Sequence, residues 1–293
     1  MTEMVCEFTD LQGIMGRYYA LNDGEPEAVA NALDEQYMPR FAGDQLPSGA
    51  IGQILSLADK LDTLLGIFAI GQKPSGEKDP FALRRAALGV LRILIECKLD
   101  LDLENLLSMV AKAYAEQLDA NAAINDVIGF MLERLRVYYT SQGVPVDVYD
   151  AVLALRPTRP LDFDRRVHAV NEFRKLDQAE SLAAANKRIG NILKKIKTRL
   201  PDQIDAALLQ EKAEQHLHQQ LQAIASEVSP LLDSGEYEAA LKQLAGLRDT
   251  VDAFFDQVMV MAEDEALKNN RLALLSQLHG LFIKAADLSR LQS

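Results

Sequence analysis

The four histidines, His168, His216, His218 and His279, all lie beyond residue 167. His216 and His218 are two apart, so a helix points them in different directions and they do not easily share a metal ion. All four read as structural or solvated residues. No serine sits in a Gly-x-Ser-x-Gly setting, and neither Cys6 nor Cys97 has a histidine near it in sequence. No nucleophile, catalytic residue or metal ligand is therefore expected. The run Gly71-Gln72-Lys73-Pro74-Ser75-Gly76-Glu77-Lys78 spaces its glycines like a phosphate loop. It lacks the Gly-Lys-Ser/Thr ending, and Glu77 sits where backbone amides should face phosphate, so it reads as a basic connection between helices. Asp59 and Asp62 fall on one face of a helix. With no histidine in this half to complete a metal shell, they read as a capped or salt-bridged pair.

The strongest chemical signal is charge. Between Arg156 and Arg199, twelve Lys/Arg stand against five Asp/Glu, inside a chain of net charge −12. Residues 184–199 read as one amphipathic helix with Ile189, Ile192, Leu193 and Ile196 on its apolar face. Lys187, Arg188, Lys194, Lys195 and Lys197 are left to solvent. Arg156, Arg159, Arg165 and Arg166 enlarge the cationic surface. Two readings stand side by side: a solvated helix face, or a surface that tracks phosphates.

The elements that must carry these residues are helical. Ile124, Val127, Ile128, Met131, Leu132, Leu135 and Tyr138 follow the i, i+3, i+4, i+7 rule. So do Tyr237, Ala240, Leu241, Leu244 and Leu247, and again Leu272, Leu275, Leu278, Phe282 and Ala286. Alternating apolar and polar residues are nearly absent, so the fold class is all-α. Asn22-Asp23-Gly24 marks a turn, Asp79-Pro80 predicts a helix from Phe81 to about Cys97, and Asp233-Ser234-Gly235 closes one helix before Tyr237 opens the next. Thr9 and Gln12 have capping-box spacing. Pro157 and Pro160 forbid a continuous helix where the charge changes sign. Two helical domains, 1–155 and 156–293, are expected, with a further break at Leu200-Pro201-Asp202.

The chain has 293 residues, 48% apolar and 25% charged, the balance of a soluble globular protein of about two domains. Scarce glycine and proline exclude collagen-like and low-complexity classes. The absence of tryptophan and a 6% aromatic content argue against a many-ringed stacking platform. Two cysteines fit a reducing compartment. The start has no positive n-region or apolar h-region, and Asp59, Lys60 and Asp62 interrupt the most apolar stretch. A cytoplasmic protein is expected, without signal peptide or membrane span.

Six collinear strings resemble one family. They are MVCEFTDLQGIMGRYYA (4–20), QYMPRFAGDQLP (36–47), ADKLDTLLGIFAIGQKPSGEKDPFALRRAALGVLRI (58–93), RPTRPLDFDRRVHAV (156–170), SLAAANKRIGNILKK (181–195) and VMVMAEDEALKNNRLALLSQL (258–278). Together they resemble the β subunit of the bacterial heterotetrameric glycyl-tRNA synthetases.

The resemblance implies a degenerate HD-like helical domain in the first half and a helical anticodon-binding domain in the second. It implies that ATP and magnesium belong to the α subunit of an α2β2 assembly, leaving no cofactor in this chain. The implied role is to bind and position tRNA-Gly. The implied partners are tRNA-Gly, the α subunit and the remainder of the β subunit, with no DNA and no membrane. The strings begin partway through the family pattern, so a larger N-terminal part of the β subunit is expected beyond this sequence. Asp59 resembles the last acidic ligand of an HD cluster, but the cluster's histidines are missing. The alternatives are a helical scaffold for α/β assembly and a divergent HD-type phosphohydrolase.

On this resemblance the tRNA contacts are Arg156, Arg159, Lys187, Arg188, Lys194, Lys195, Lys197, Asn270 and Arg271. Asn186 and Asn269 lie in the same strings. Amide side chains suit base edges, guanidinium groups suit phosphates or stacking, and lysines position the backbone. Arg271 equally suits a helix-cap or ion-pair role. Arg84 and Arg85 suit either the tRNA body or a brace of the fold.

Overall fold

The computed structural model describes residues 7–114 and 118–292; Cys6 lies outside them. Among the described residues there are thirteen α-helices, four short 3-10 turns and no strand. None of these helices is long and apolar enough to cross a membrane. The chain forms two compact units, one of Met1–Ser141 with Thr158–Leu161, the other of Gln142–Pro157 with Asp162–Ser293.

The first unit holds α1 (Ile14–Asn22), α2 (Glu27–Glu35), α3 (Ala50–Ala69), α4 (Leu83–Glu96), α5 (Leu103–Ala113) and α6 (Ile124–Ser141). Its centre is α3, which packs on α2, α4, α5 and α6. Leu57, Leu61, Leu64, Leu65 and Phe68 follow helical spacing and are all buried. Each such side chain contributes roughly 1.5–3 kcal/mol on leaving water. The α6 stripe read from sequence is buried from Ile124 to Leu135, and Tyr139 joins it.

Two starts differ from the sequence reading. Thr9–Leu11 is a 3-10 turn without a side-chain cap, so the Thr9/Gln12 capping box does not form. The helix placed from Phe81 begins at Leu83. Asp79 caps it from a full turn away, accepting from the backbone N–H of Leu83 (2.8 Å) and Arg84 (3.0 Å). Ala82 makes the bend with a left-handed φ of 53°.

The glycine-spaced run before it is a braced turn. Ser75 and Lys78 exchange backbone hydrogen bonds, and Arg84 donates to the Gly76 carbonyl. Lys73 pairs with Asp126 at 2.5 Å. Arg84 is thus a brace, while Arg85 is exposed and donates to the Arg40 carbonyl at 3.4 Å.

Asp59 and Asp62 do not converge on a shared site. Asp59 is exposed, and Asp62 accepts from the Tyr114 hydroxyl at 2.7 Å. Between them Lys60 is buried and donates to Ser56 Oγ (2.7 Å), the Met38 carbonyl (3.0 Å) and the Gln36 carbonyl (3.1 Å). All three ammonium protons are used. Burial pushes this amine down to about 8, against the raising effect of Asp59.

Gly52, in the first turn of α3, passes very close to α2. A Cβ there would lie 1.9 Å from Glu35 Oε2. The Glu35 carboxylate is buried and accepts from Ser48 N (2.9 Å) and Ser48 Oγ (2.6 Å). Gly52→Ala is expected to dislodge that carboxylate and destabilise the unit by about 1–3 kcal/mol. Urea unfolding checks this; an unchanged midpoint would mean that Glu35 yields freely.

The second unit holds α7 (Val146–Leu153), most of α8 (Pro160–Phe173), α9 (Ala179–Leu193), α10 (Lys212–Asp233), α11 (Tyr237–Ala245), α12 (Arg248–Gln257) and α13 (Glu265–Ile283). Pro157 falls in the break between α7 and α8, Pro160 opens α8, and Gly235, at φ 78°, turns the chain between α10 and α11. α9 packs on α12 and α13, and α10 packs on α11, α12 and α13.

The α9 helix ends at Leu193, short of the expected Arg199. Continuing it would place Lys194 over Lys197 and Lys195 over Arg199, like charges at i+3 and i+4 that disfavour the helix. The buried stripe also differs from the sequence reading. Leu182, Ala183, Ala185, Asn186 and Ile189 face inward, whereas Ile192, Leu193 and Ile196 are only half-buried.

Candidate nucleic-acid interface

The outward face of α9 borders a groove of about 560 Å³. Its floor is apolar, formed by Ala184, Ile192, Ile196 and Met261, and its polar groups are Lys187, Arg188, Asn191 and Lys195. Apart from Met261, these positions recur at i, i+3, i+4, i+7, i+8, i+11 and i+12 from residue 184, one stripe of a helix and the turn that continues it. The same periodicity that buries Leu182 and Ile189 presents this stripe to water.

Lys187, Arg188, Lys194, Lys195 and Lys197 are all exposed. Among the described residues no carboxylate stands within ion-pair distance of any of the five. Arg188 instead lays its guanidinium on the Phe255 ring, 4.3 Å from the centroid. Lys197 lies beyond the helix end and extends the cationic run past the groove.

Of the other seven basic residues of the segment, Arg159, Arg166, Arg174, Lys175 and Arg199 are ion-paired, while Arg156 and Arg165 are exposed with no carboxylate in ion-pair distance among the described residues. Arg166 pairs with Asp162 at 2.7 Å, donates to the Tyr237 hydroxyl and the Ala285 carbonyl, and covers the Tyr237 ring at 4.2 Å. Arg174 pairs with Asp147, Lys175 with Glu172 and Arg199 with Asp202. Arg159 belongs to the first unit, where it pairs with Asp100 at 2.8 Å. Arg156 is exposed, at a left-handed φ of 48°, in the break before α8. Neither Arg156 nor Arg159 lines the groove.

Asn270 and Arg271 also stand apart from the groove. They are 2% and 4% exposed, and their polar atoms are spent inside the protein. The Asn270 amide donates to the Asp205 carbonyl (3.0 Å) and accepts from the Asp205 N–H (2.8 Å), fastening the segment after Pro201 to α13. Arg271 forms a bidentate pair with Glu214, Nε to Oε2 at 2.7 Å and Nη2 to Oε1 at 3.1 Å, and donates to the Met259 carbonyl at 2.9 Å. This is the ion-pair role left open for Arg271. Burial of Glu214 works to raise its carboxyl pKa, but the Arg271 guanidinium and the backbone N–H groups of Glu211 and Gln210 hold it below the usual range.

Asn186 is likewise internal. It donates to the Leu182 carbonyl (2.9 Å), and its amide oxygen meets His279 Nδ1 at 3.2 Å. Burial lowers the His279 pKa, favouring the neutral ring. The amide that lines the groove is Asn191, missed by the sequence reading. The signal was its place at i+4 from Lys187, i+3 from Arg188 and i−4 from Lys195. Met261 and Phe255 were missed because they come from other elements.

Among the described residues no group of three or more His, Cys, Asp or Glu side chains is placed to hold a metal ion. What the groove offers is an apolar floor, one amide and three cations.

The sequence profile described as glycyl-tRNA synthetase beta subunit matches residues 1–154. The profile described as DALR anticodon binding domain matches residues 182–288, which contain every residue lining the groove. Among curated relatives, the glycine–tRNA ligase beta subunits of Tolumonas auensis, Aliivibrio fischeri and Aeromonas hydrophila are 59%, 58% and 57% identical over 292 residues. Each comparison covers 100% of this chain and 42% of the relative, so the chain spans about two fifths of the length of the curated relatives it matches. With one profile matching more than half of the sequence and the other carrying the groove, the chain belongs to the glycyl-tRNA synthetase beta-subunit family.

Proposed function

We propose that this chain is the tRNA-recognition part of a glycine–tRNA ligase β subunit. The α9 groove binds and positions tRNA-Gly in the cytoplasm. Glycine activation with ATP and magnesium takes place in the α subunit of an α2β2 assembly, and this chain supplies no catalytic residue. The first unit serves as a degenerate HD-like helical domain, in contact with the rest of the assembly.

The observation that carries this reading is the row of cations without acidic partners along one apolar groove, inside the span that matches an anticodon-binding domain. In a chain of net charge −12, five neighbouring exposed cations, with no carboxylate in ion-pair distance among the described residues, gather positive potential on one surface. Such a surface is suited to a polyanion. Lysines that touch phosphates set register, while discrimination comes from contacts to base edges.

Binding of tRNA-Gly across a salt series tests this. About five phosphate contacts predict that log K falls against log salt with a slope of roughly −3.5 to −4.5. An anticodon-altered tRNA is expected to lose about 1–3 kcal/mol per misread base. A flat salt dependence would contradict the reading.

A further inference from the structure

Asn191 and Phe255 are assigned no task by the reading above, and the geometry gives them one. Arg188 borders the groove with its guanidinium carbon over the Phe255 ring, 4.3 Å from the centroid. That contact restrains a side chain that would otherwise sample many rotamers, and the planar guanidinium it holds at the groove is a flat cationic plate. Guanidinium planes stack on unstacked bases much as aromatic rings do. Among the described residues no aromatic ring lines the groove, so the plate is the stacking surface it offers.

Asn191 is the neutral polar side chain of the groove. It is exposed and makes no side-chain hydrogen bond within the chain among the described residues. Its amide carries two donors and an acceptor, the pattern that reads a base edge. It sits about one helical turn from Lys187 and Arg188 on one side and from Lys195 on the other. Cations held on both sides place phosphates around it, so a base between those phosphates is brought to the amide.

We infer that the groove takes one unstacked base of single-stranded RNA, laid on the Arg188 face turned away from Phe255, with Asn191 reading its hydrogen-bonding edge. Asn191 is the specificity-determining residue and Phe255 a positioning residue. This rests on the tRNA reading above.

The test measures binding of the full 293-residue chain to tRNA-Gly and to single-stranded oligoribonucleotides that differ in one central base, each across a salt series. The wild-type chain is expected to favour one central base by about 5- to 150-fold. Asn191→Ala should reduce that preference below about 2-fold and leave the salt slope unchanged, because no charge is removed. Phe255→Leu should weaken every oligomer by about 5- to 10-fold with the order of bases preserved, and Phe255→Tyr should restore binding. Arg188→Lys keeps the charge and loses the plate, so it should show the same uniform loss at an unchanged slope. Since Arg188 is exposed, this variant keeps the test decisive if Phe255→Leu fails to fold.

An undiminished base preference in Asn191→Ala, or wild-type affinity in Arg188→Lys, would overturn the inference while leaving tRNA binding intact. A wild-type chain that binds none of these RNAs at low salt would overturn the tRNA reading as well.

Discussion

Arg271→Ala is expected to lower the unfolding free energy of the second unit by about 3–5 kcal/mol, because it strands the Glu214 carboxylate in the interior. Glu214 is fully buried; its Oε2 accepts from Arg271 Nε, and its Oε1 accepts from Arg271 Nη2 and from the backbone N–H groups of Gln210 and Glu211, just before α10. Removing the guanidinium leaves a desolvated charge with only its cap hydrogen bonds. Replacing both partners, as Glu214→Leu with Arg271→Met, should recover most of the loss. A deficit of about 1 kcal/mol should remain, because the capping box of α10 is gone as well.

The pair also fixes the direction of the acid response. The folded Glu214 carboxyl lies below its ordinary value of 4.5, so the pair's contribution is complete above that value. It drains away as pH falls through the folded value, because the unfolded chain takes up the proton first. Thermal unfolding at neutral pH and along an acid series checks both statements. A single-variant loss under about 1 kcal/mol would show that the carboxylate finds other partners.

Reversing Lys187, Arg188 and Lys195 together to glutamate is expected to weaken tRNA-Gly binding by about 10²–10³-fold at moderate salt, and to make the salt slope shallower by roughly 2. Three phosphate contacts are lost, and three carboxylates now face the backbone. Stability should stay within about 1 kcal/mol of wild type, because the three side chains are exposed, have no acidic partner among the described residues, and give up only the Arg188 contact with Phe255. Reversing the exposed Lys212, Lys242 and Lys284 supplies the control of equal charge change. Equal losses in both triple variants would mean that bulk charge, and not the groove, governs binding.

The helical architecture was legible because helical spacing and its interruptions are local. The α6 stripe, the Pro157/Pro160 break and the Gly235 turn each need only a few neighbouring residues to be read. The outward row of α9 was legible for the same reason, and Lys187, Arg188 and Lys195 do line one groove.

Burial that depends on distant partners was not legible. Asn270 and Arg271 have the residue types that RNA contacts favour, yet Asp205 lies 65 positions from Asn270 and Glu214 57 positions from Arg271. No local pattern pairs them. For Asn186 and Asn191, five residues apart on α9, the signal was local: Asn186 shares the row of Leu182 and Ile189, and Asn191 the row of Lys187, Arg188 and Lys195; the contact of Asn186 with His279 of α13 agrees with that division. Ile192 and Ile196 were read as core because they are apolar, but the helix ends beside them and leaves them as the floor of an open groove.

Lysine-reactivity footprinting of the chain with and without tRNA-Gly tests the central claim most directly. Lys187 and Lys195 should lose reactivity toward an acylating reagent when tRNA binds, while Lys212, Lys242 and Lys284 stay as reactive as in the free chain. Bound tRNA with Lys187 and Lys195 still fully reactive, and protection elsewhere, would contradict the placement of the interface on α9.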